Sequence, residues 1–193
     1  MPRNPRHQEP GATYHVTTHS LEGIDLVRDD RDLLNLLGVA ATVVARYEWQ
    51  LLVVCILDTH YHFLLTTTQA NLSDGMRYLN GSYAQLYNRR HRRRGHLFRE
   101  RFRSKFVQSQ AHLLLAVRYI ALNPVAAGLV TDCCSFQWSS YPGLAGVAPC
   151  WPFIAKDEVL GLFGSGQAAV SALRDFVEGN TVAGEQSLDQ ENG

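Results

Sequence analysis

The sequence lacks several features, and each absence excludes a class of protein. No run of about 18 apolar residues occurs, so we predict no transmembrane helix. The polar, proline-rich start MPRNPRHQEPG contains no apolar segment, so we expect no secretory signal and a cytoplasmic location. The chain also has no phosphate-binding glycine motif, and we therefore expect no nucleotide cofactor.

Cysteine and lysine are scarce as well. The four cysteines do not have the spacing of a zinc site, and we interpret them as buried, reduced thiols: Cys55, Cys133, Cys134 and Cys150. Lysine contributes two of the 18 basic residues, so arginine carries nearly all of the positive charge.

The charges are unevenly distributed, although they sum to zero. The basic segment RRHRRRGHLFRERFRSK, residues 89–105, holds nine of the 18 basic residues and a single acid, Glu100. Seven acids lie between Asp157 and the C-terminus. This asymmetry favours a polyanionic partner.

Hydrophobic periodicity predicts seven main elements in the order β, α, β, β, α, β, α. Strands are expected at residues 13–18, at WQLLVVCIL and HYHFLLTT as an antiparallel pair, and within GHLFRERFRSKFVQ. Helices are expected at residues 30–47, after a cap at Ser73, and from Gln110 to a stop at Asn123-Pro124. The first six elements match the ferredoxin-like βαββαβ pattern, so we predict an α+β fold whose antiparallel sheet has helices on one face.

The length of 193 residues fits one domain with an accessory tail. We predict a flexible N-terminus at residues 1–12, the main domain at 13–145, a helical accessory segment at 146–179 and a disordered tail at 180–193. The sequences KDEVLGLFG and GQAAVSALRDFVEG predict two short helices in the accessory segment. The preceding SSYPGLAGVAPCWPF is typical of a loop.

Two histidines, His60 and His62, are separated by one residue in the apolar run LDTHYHFLL. Side chains alternate along a strand, so both imidazoles should point to the same face. Neutral imidazoles at this spacing can bind a divalent metal, although a simple pair of surface or core histidines explains the motif equally well.

The helix LLLAVRYIALNP contains two polar residues that fit such a site. Tyr119 and Asn123 are four residues apart and therefore lie on one helical face. Asn123 is a candidate third ligand through its amide oxygen, a donor suited to Mg²⁺ or Mn²⁺, and Tyr119 is a candidate nucleophile for phosphorus. Taken singly, Tyr119 would be a packing residue and Asn123 a residue at the helix end.

The basic segment interleaves arginine with aromatic residues, which suits phosphate contacts and the stacking of unpaired bases. Nine bases against one acid argue against a merely solvated helix end. Alternation would place Phe98, Phe102 and Phe106 on the inward face. The candidate DNA-binding residues are Arg89, Arg90, Arg92, Arg93, Arg94, His96, Arg99, Arg101, Arg103, Lys105 and, on the later helix, Arg118.

Several motifs in this order resemble the REP-associated tyrosine transposases, which belong to the single-tyrosine HUH endonucleases. The motifs are TYHVTT, THYHFLL, GHLFRERFRSK, VRYIALNPVAAGLV and WSSYPGL. They extend from about Tyr14 to Leu144. Asp58-Thr59 stands where family members often have Pro-Asn, and Thr18-His19-Ser20 where they often have Asn-Arg-Gly. Neither departure removes a candidate metal ligand, but both affect which DNA sequence we expect the protein to recognise.

The resemblance implies a ferredoxin-like catalytic domain that acts on single-stranded or hairpin DNA. It also implies that Tyr119 is the nucleophile and forms a 5′-phosphotyrosine intermediate, and that His60, His62 and Asn123 hold a divalent metal, Mg²⁺ or Mn²⁺. We therefore interpret the chain as a transposase-type DNA endonuclease and strand transferase, acting as a monomer or a homodimer. Two alternatives remain: a catalytically silent regulator that binds structured DNA or RNA, and a metal-dependent phosphodiesterase that uses water as its nucleophile.

Overall fold

The computed structural model describes residues 8–179. Its strands and helices are β1 (Thr13–His19), α1 (Asp30–Tyr47), β2 (Trp49–Ile56), β3 (His60–Thr67), α2 (Leu72–Arg90), β4 (Arg103–Phe106), α3 (Gln110–Ala126), α4 (Tyr141–Leu144), α5 (Lys156–Gly161) and α6 (Gly166–Glu178). The predicted disordered tail, 180–193, and residues 1–7 of the predicted flexible N-terminus lie outside the described residues. Residues 8–12 contact the fold, since the N–H of Gly11 donates to the carbonyl of Thr67 at 2.7 Å.

The four strands form one antiparallel sheet in the order β2-β3-β1-β4. This order is that of the ferredoxin-like βαββαβ fold and confirms the predicted fold class. The register of the two central strands places Thr17 opposite His62 and His19 opposite His60. Both candidate histidines are therefore held in the middle of the sheet, on a strand that has a neighbour on each side.

Helices α1 and α2 cover one face of the sheet. Asp29 caps α1, because its side chain accepts a hydrogen bond from the N–H of Asp32 at 3.1 Å. Tyr61 of β3 points to this face, where its hydroxyl donates to Oδ1 of Asn80 in α2 at 2.5 Å. Since side chains alternate along a strand, residues 60 and 62 point to the opposite face.

A charged cluster joins the end of α2 to the start of α1. The guanidinium of Arg90 pairs with Asp29 at 2.6 Å and also contacts Asp32, whose side chain is fully buried. Nε2 of His91 lies 2.8 Å from the Asp32 carboxylate. The hydrogen bond from Arg90 lowers the pKa of Asp29 to about 2. Arg90 therefore binds the two helices together.

Helix α3 lies on the histidine face of the sheet, where Tyr119 contacts the ring of His62. The predicted stop at Asn123-Pro124 is wrong, because α3 continues to Ala126 with Pro124 inside its last turn. A proline there has no N–H to donate to the carbonyl four residues earlier, so the last turn of α3 lacks one hydrogen bond. The helix ends two residues later. The N–H of the residue after the helix still bonds to the carbonyl of Asn123 at 2.9 Å.

The C-terminal segment packs against the outer edge of β2. The N–H of Ile56 donates to the carbonyl of Trp138 at 2.9 Å, and the N–H of Ala155 donates to that of Leu51 at 2.8 Å. These bonds cover an edge that would otherwise expose unpaired backbone groups. The two predicted tail helices are present as α5 and α6, whereas part of the predicted loop forms the short helix α4. Among residues 8–179, no helix is both long and apolar enough to span a bilayer.

One local prediction is wrong: helix α2 begins one residue earlier than the predicted cap at Ser73, and the N–H of Ser73 donates to the Gln8 side chain at 2.6 Å. The short strand predicted within residues 95–108 is present as β4, at the edge of the sheet. Phe102 is buried as expected, but Phe106 is 38% exposed because it lies on this edge.

Candidate active site

A cluster of four histidines lies on the α3 side of the sheet. His15 and His19 of β1 share this face with His60 and His62 of β3. The ring of His19 stacks on that of His60 with centroids 4.6 Å apart, and the rings of His60 and His62 are 4.9 Å apart. The structure therefore brings the two predicted ligands together and adds two histidines that sequence reasoning missed. The alternation of TYHVTTH, which puts His15 and His19 on one face of β1, is the signal that could have revealed them.

His62 has the environment of a metal ligand. Its Nδ1 atom lies 2.9 Å from Nε2 of His15 and 3.3 Å from Oγ1 of Thr17. Its Nε2 atom is buried and has no hydrogen-bond partner within the described part of the chain. Burial, reinforced by the neighbouring histidines, holds the pKa of His62 well below its usual value. The ring is therefore neutral near pH 7, which is the form that binds metals.

These surroundings fit a cation held by imidazole. A metal-binding histidine generally donates the N–H of its other ring nitrogen to a nearby acceptor, which fixes the ring. For His62, both Nε2 of His15 and Oγ1 of Thr17 can accept that hydrogen bond. A cation at Nε2 would also satisfy a buried polar atom that otherwise costs free energy.

Tyr119 lies on α3 directly against the histidine cluster. Its ring is edge-on to the rings of His15 and His62, with centroids 5.7 Å away in both cases. The predicted nucleophile therefore contacts one predicted ligand, although the two are 57 residues apart in the sequence. The sheet supplies the imidazoles and the helix supplies the phenol.

Asn123 lies one turn after Tyr119 and is half-buried. Its Nδ2 atom donates to the backbone carbonyl of Tyr119 at 3.2 Å. Among residues 8–179, no hydrogen bond joins Asn123 to His60 or His62. Because the NH₂ group is engaged by the helix, Oδ1 is the atom that remains for a ligand. The role of Asn123 as third ligand stays a prediction.

A different group of candidate ligands comprises Asp132, Cys133 and Cys134, whose ligand atoms lie within 4.8 Å of one another. Burial raises the pKa of Cys133 to about 11 and that of Cys134 to about 12. The thiol of Cys134 donates to Glu178 at 3.3 Å. Protonated thiols are poor ligands for hard cations, so we do not assign the predicted Mg²⁺ or Mn²⁺ to this group. All four cysteines are free, two of them buried and two half-buried.

Most of the basic segment faces solvent. Arg93 and Lys105 are half-buried, and Arg93 donates to the side chain of Asn88 at 3.1 Å. The acid within the segment, Glu100, forms an ion pair with Arg103 at 2.8 Å. The exposed members are Arg89, Arg92, Arg94, His96, Arg99, Arg101 and Arg103.

Two of the predicted DNA-binding residues are held by the protein itself. Arg90 belongs to the cluster that joins α1 and α2. The guanidinium of Arg118 donates to the carbonyl of Gly179 at 2.9 Å and lies over the ring of Phe176, 5.7 Å from its centroid. Arg90 and Arg118 therefore have contacts within the fold, and their role in binding DNA stays a prediction.

Comparison with solved structures shows a shared fold. The chain is similar to a REP-associated tyrosine transposase bound to a REP hairpin, with a TM-score of 0.66 and 17% identity over 79% of this chain and 90% of that chain. Two further solved structures are less similar. One is a transposase from Deinococcus radiodurans, with a TM-score of 0.42 and 17% identity over 57% of this chain and 90% of that chain. The other is the tRNA(His) guanylyltransferase of Saccharomyces cerevisiae, with a TM-score of 0.47 and 11% identity over 88% of this chain and 80% of that chain. No curated protein matches the chain.

The model of one protein family, described as IS200-like transposases, matches residues 11–123. The match begins just before β1 and ends at Asn123 of α3, so it contains the four histidines and Tyr119. It also spans more than half of the 193 residues. The chain therefore belongs to the IS200-like transposase family.

Proposed function

We propose that this protein cuts and rejoins single-stranded DNA beside hairpins, with Tyr119 as the nucleophile and a divalent cation at His60 and His62. The surroundings of His62 carry the proposal. The centroid of the Tyr119 ring lies 5.7 Å from that of the His62 ring. The buried Nε2 of His62 has no hydrogen-bond partner among the described residues. Membership of the IS200-like transposase family supports DNA processing as the general activity.

Each residue of the site has a distinct role in this reaction. His60 and His62, with Asn123 as the third ligand, would hold Mg²⁺ or Mn²⁺, and a cation there would polarise a phosphate oxygen. Tyr119 gives its phenolic proton to solvent as its oxygen attacks the phosphorus and forms a phosphotyrosine bond, while the bond to the 3′ oxygen breaks and that oxygen takes up a proton from solvent. The phosphotyrosine conserves the energy of the broken phosphodiester, so a second 3′-OH can attack it and rejoin the strand.

Hairpin DNA is the substrate that we propose. The structure with TM-score 0.66 is that of a transposase bound to a REP hairpin. The exposed arginines of residues 89–105 provide a surface that can neutralise phosphates. A protein that only binds DNA would need neither the histidine cluster nor the tyrosine against it, which favours an enzyme over a silent regulator.

A covalent adduct is the decisive test. The protein is incubated with hairpin single-stranded DNA and Mn²⁺, separated on a denaturing gel, and digested for mass spectrometry. We expect a DNA adduct on the peptide that contains Tyr119, and its loss when EDTA is added. Cleavage without an adduct would instead indicate water as the nucleophile. Binding without cleavage would indicate a DNA-binding regulator.

A further inference from the structure

A second group of metal-ligating side chains lies in the turn that follows α3. Residues Cys133–Ser135 form a single 3₁₀ turn, which Asp132 caps, since its Oδ1 atom accepts from the N–H of Cys134 at 2.9 Å. The ligand atoms of Asp132, Cys133 and Cys134 all lie within 4.8 Å of one another. The group shares no residue with the histidine cluster and is therefore distinct from the candidate active site.

Helix α6 brings a fourth candidate ligand to this group. Glu178, 44 residues after Cys134, ends α6, and its Oε1 atom accepts from the Cys134 thiol at 3.3 Å. The same oxygen accepts from the hydroxyl of Tyr141 at 2.8 Å and from Nε of Arg174 at 3.1 Å. The carboxylate is therefore held in one orientation beside the thiol. We call these four residues the acid–cysteine cluster: Asp132, Cys133, Cys134 and Glu178.

The distances within the acid–cysteine cluster fit a single tetrahedral zinc ion. Zinc–sulfur bonds of about 2.3 Å and zinc–oxygen bonds of about 2.0 to 2.2 Å put two ligands of one ion about 3.3 to 3.8 Å apart. The distance of 3.3 Å between Cys134 and Glu178 lies within this range. The other ligand atoms, within 4.8 Å of one another, would reach it through small side-chain movements.

The donor atoms favour zinc over the cation of the candidate active site. Thiolates are soft ligands that select zinc, whereas Mg²⁺ prefers oxygen. Two thiolates and two carboxylates would fill the four positions of a structural zinc site. The thiols give their protons to solvent when zinc binds, and the charges of Asp132 and Glu178 attract the cation that replaces those protons.

The burial of the acid–cysteine cluster provides both an anchor and an entrance. Cys133 is buried and Cys134 half-buried, whereas Asp132 and Glu178 are exposed. An ion can therefore enter from solvent past the two carboxylates and reach the thiols below them. Adjacent cysteines lack the usual spacing of a zinc site in the sequence, and only the fold brings Glu178 to them.

A metal in this position would connect the end of α6 to the turn after α3. Gly179, next to Glu178, accepts from the guanidinium of Arg118 at 2.9 Å, and this guanidinium lies over the ring of Phe176. Arg118 precedes Tyr119 on α3. The end of α6 thus packs on the helix that carries the proposed nucleophile, and a metal would fix it there.

We propose that the acid–cysteine cluster binds a structural zinc ion that fastens the end of α6 beside α3. The proposal is independent of the proposed function, because it requires neither DNA nor a cation at His60 and His62. It assigns to two cysteines and two acids a role that the DNA reaction does not use.

Cobalt(II), which takes the place of zinc, identifies the ligands by its absorption spectrum. Reduced, metal-free protein is titrated with Co²⁺ and then with Zn²⁺. We expect a sulfur-to-cobalt charge-transfer band in the near ultraviolet, and its loss when zinc displaces cobalt. Imidazole and carboxylate ligands give no such band, so cobalt at the histidine cluster does not contribute. Absence of the band from wild type would overturn the inference.

Serine and glutamine variants locate the site. Cys133→Ser combined with Cys134→Ser should abolish the band, whereas Cys150→Ser, at another half-buried cysteine, should keep it. A band that persists in the double variant would place the sulfur ligands elsewhere. Glu178→Gln keeps both thiols and should weaken the binding of cobalt by at least about tenfold, the smallest usual effect of removing even an outer partner of a metal ligand. Unchanged affinity would overturn the link to α6.

Alkylation of wild type keeps the inference testable if the serine variants do not fold. Zinc should slow the reaction of Cys134 with iodoacetamide several-fold, as measured by tandem mass spectrometry, while Cys150 reacts at an unchanged rate. Equal rates for Cys134 with and without zinc would overturn the inference. Failure of the proposed function has a separate signature, because it removes the Tyr119 adduct and leaves the cobalt band.

Discussion

Nε2 of His15 lies 2.9 Å from Nδ1 of His62, and this contact joins β1 to β3 at the candidate metal site. The register places Thr17, not His15, opposite His62, so the contact runs diagonally between the strands. When Nδ1 of His62 carries the proton and donates it to His15, the lone pair of the buried Nε2 is left for a cation. His15 is thus a positioning residue for the proposed metal ligand.

His15→Phe should weaken the binding of Mn²⁺ by about 10- to 100-fold, the usual effect of removing the partner of a metal-binding histidine. Phenylalanine keeps a ring in this buried position but cannot accept the hydrogen bond. Isothermal titration calorimetry measures the affinity, and His15→Gln, which restores an acceptor, should recover part of it. His96→Phe, at an exposed histidine, is the matched control. Unchanged Mn²⁺ affinity in folded His15→Phe would show that His15 does not orient His62.

Tyr119→Phe should reduce DNA cleavage by about a thousandfold or more and abolish the covalent adduct, because only the nucleophilic oxygen is lost. The affinity for hairpin DNA should stay close to that of wild type, since the ring still packs against His15 and His62. Tyr78→Phe, at another half-buried tyrosine, should cut normally. Cleavage by Tyr119→Phe at the wild-type rate would assign the attack to water or to another tyrosine.

The sequence predicts the part of the site that follows from local periodicity. Alternation along β3 places His60 and His62 on one face, and the spacing of four along α3 places Tyr119 and Asn123 together. Whether a strand and a helix then meet depends on tertiary packing. The edge-on packing of the Tyr119 ring against His62, with ring centroids 5.7 Å apart, is therefore visible only in the structure.

Other features depend on contacts between segments far apart in the chain. The alternation along β1 puts His15 and His19 on one face, but only the pairing of β1 with β3 brings that face beside His60 and His62. Arg90 looks like any other residue of the basic segment, but the acids that bind it, Asp29 and Asp32, lie about 60 positions earlier. Periodicity carries no information on such partners, so the ion pairs of Arg90 are visible only in the structure.

Arg90→Met should lower the free energy of unfolding, because it leaves the fully buried Asp32 without its arginine. His91 remains beside this carboxylate and limits the loss. Urea denaturation measures the effect. Arg89→Met is the matched control: Arg89 is exposed and adjacent in sequence, so its loss should change stability by less than about 0.5 kcal/mol. Equal stability of the two variants would show that Arg90 does not hold α1 and α2 together.

The basic segment should carry the electrostatic part of DNA binding. Each phosphate contact on single-stranded DNA contributes about 0.7 to the slope of log affinity against log salt, so three contacts contribute about two. In the variant with Arg99→Ala, Arg101→Ala and Arg103→Ala, we expect the slope to flatten by between one and two. The change in slope is smaller than for three independent contacts because Glu100 already pairs with Arg103 at 2.8 Å and lies 3.7 Å from Arg99.

Glu100→Gln tests the same surface in the opposite direction. Removal of this carboxylate frees Arg103 and Arg99 for phosphate, so affinity should rise and the slope should steepen. Affinities for a hairpin and for an unrelated strand, measured at several salt concentrations, should change in parallel, since phosphate contacts do not read sequence. If the triple variant folds and keeps the wild-type slope while Glu100→Gln has no effect, the DNA is held by another surface.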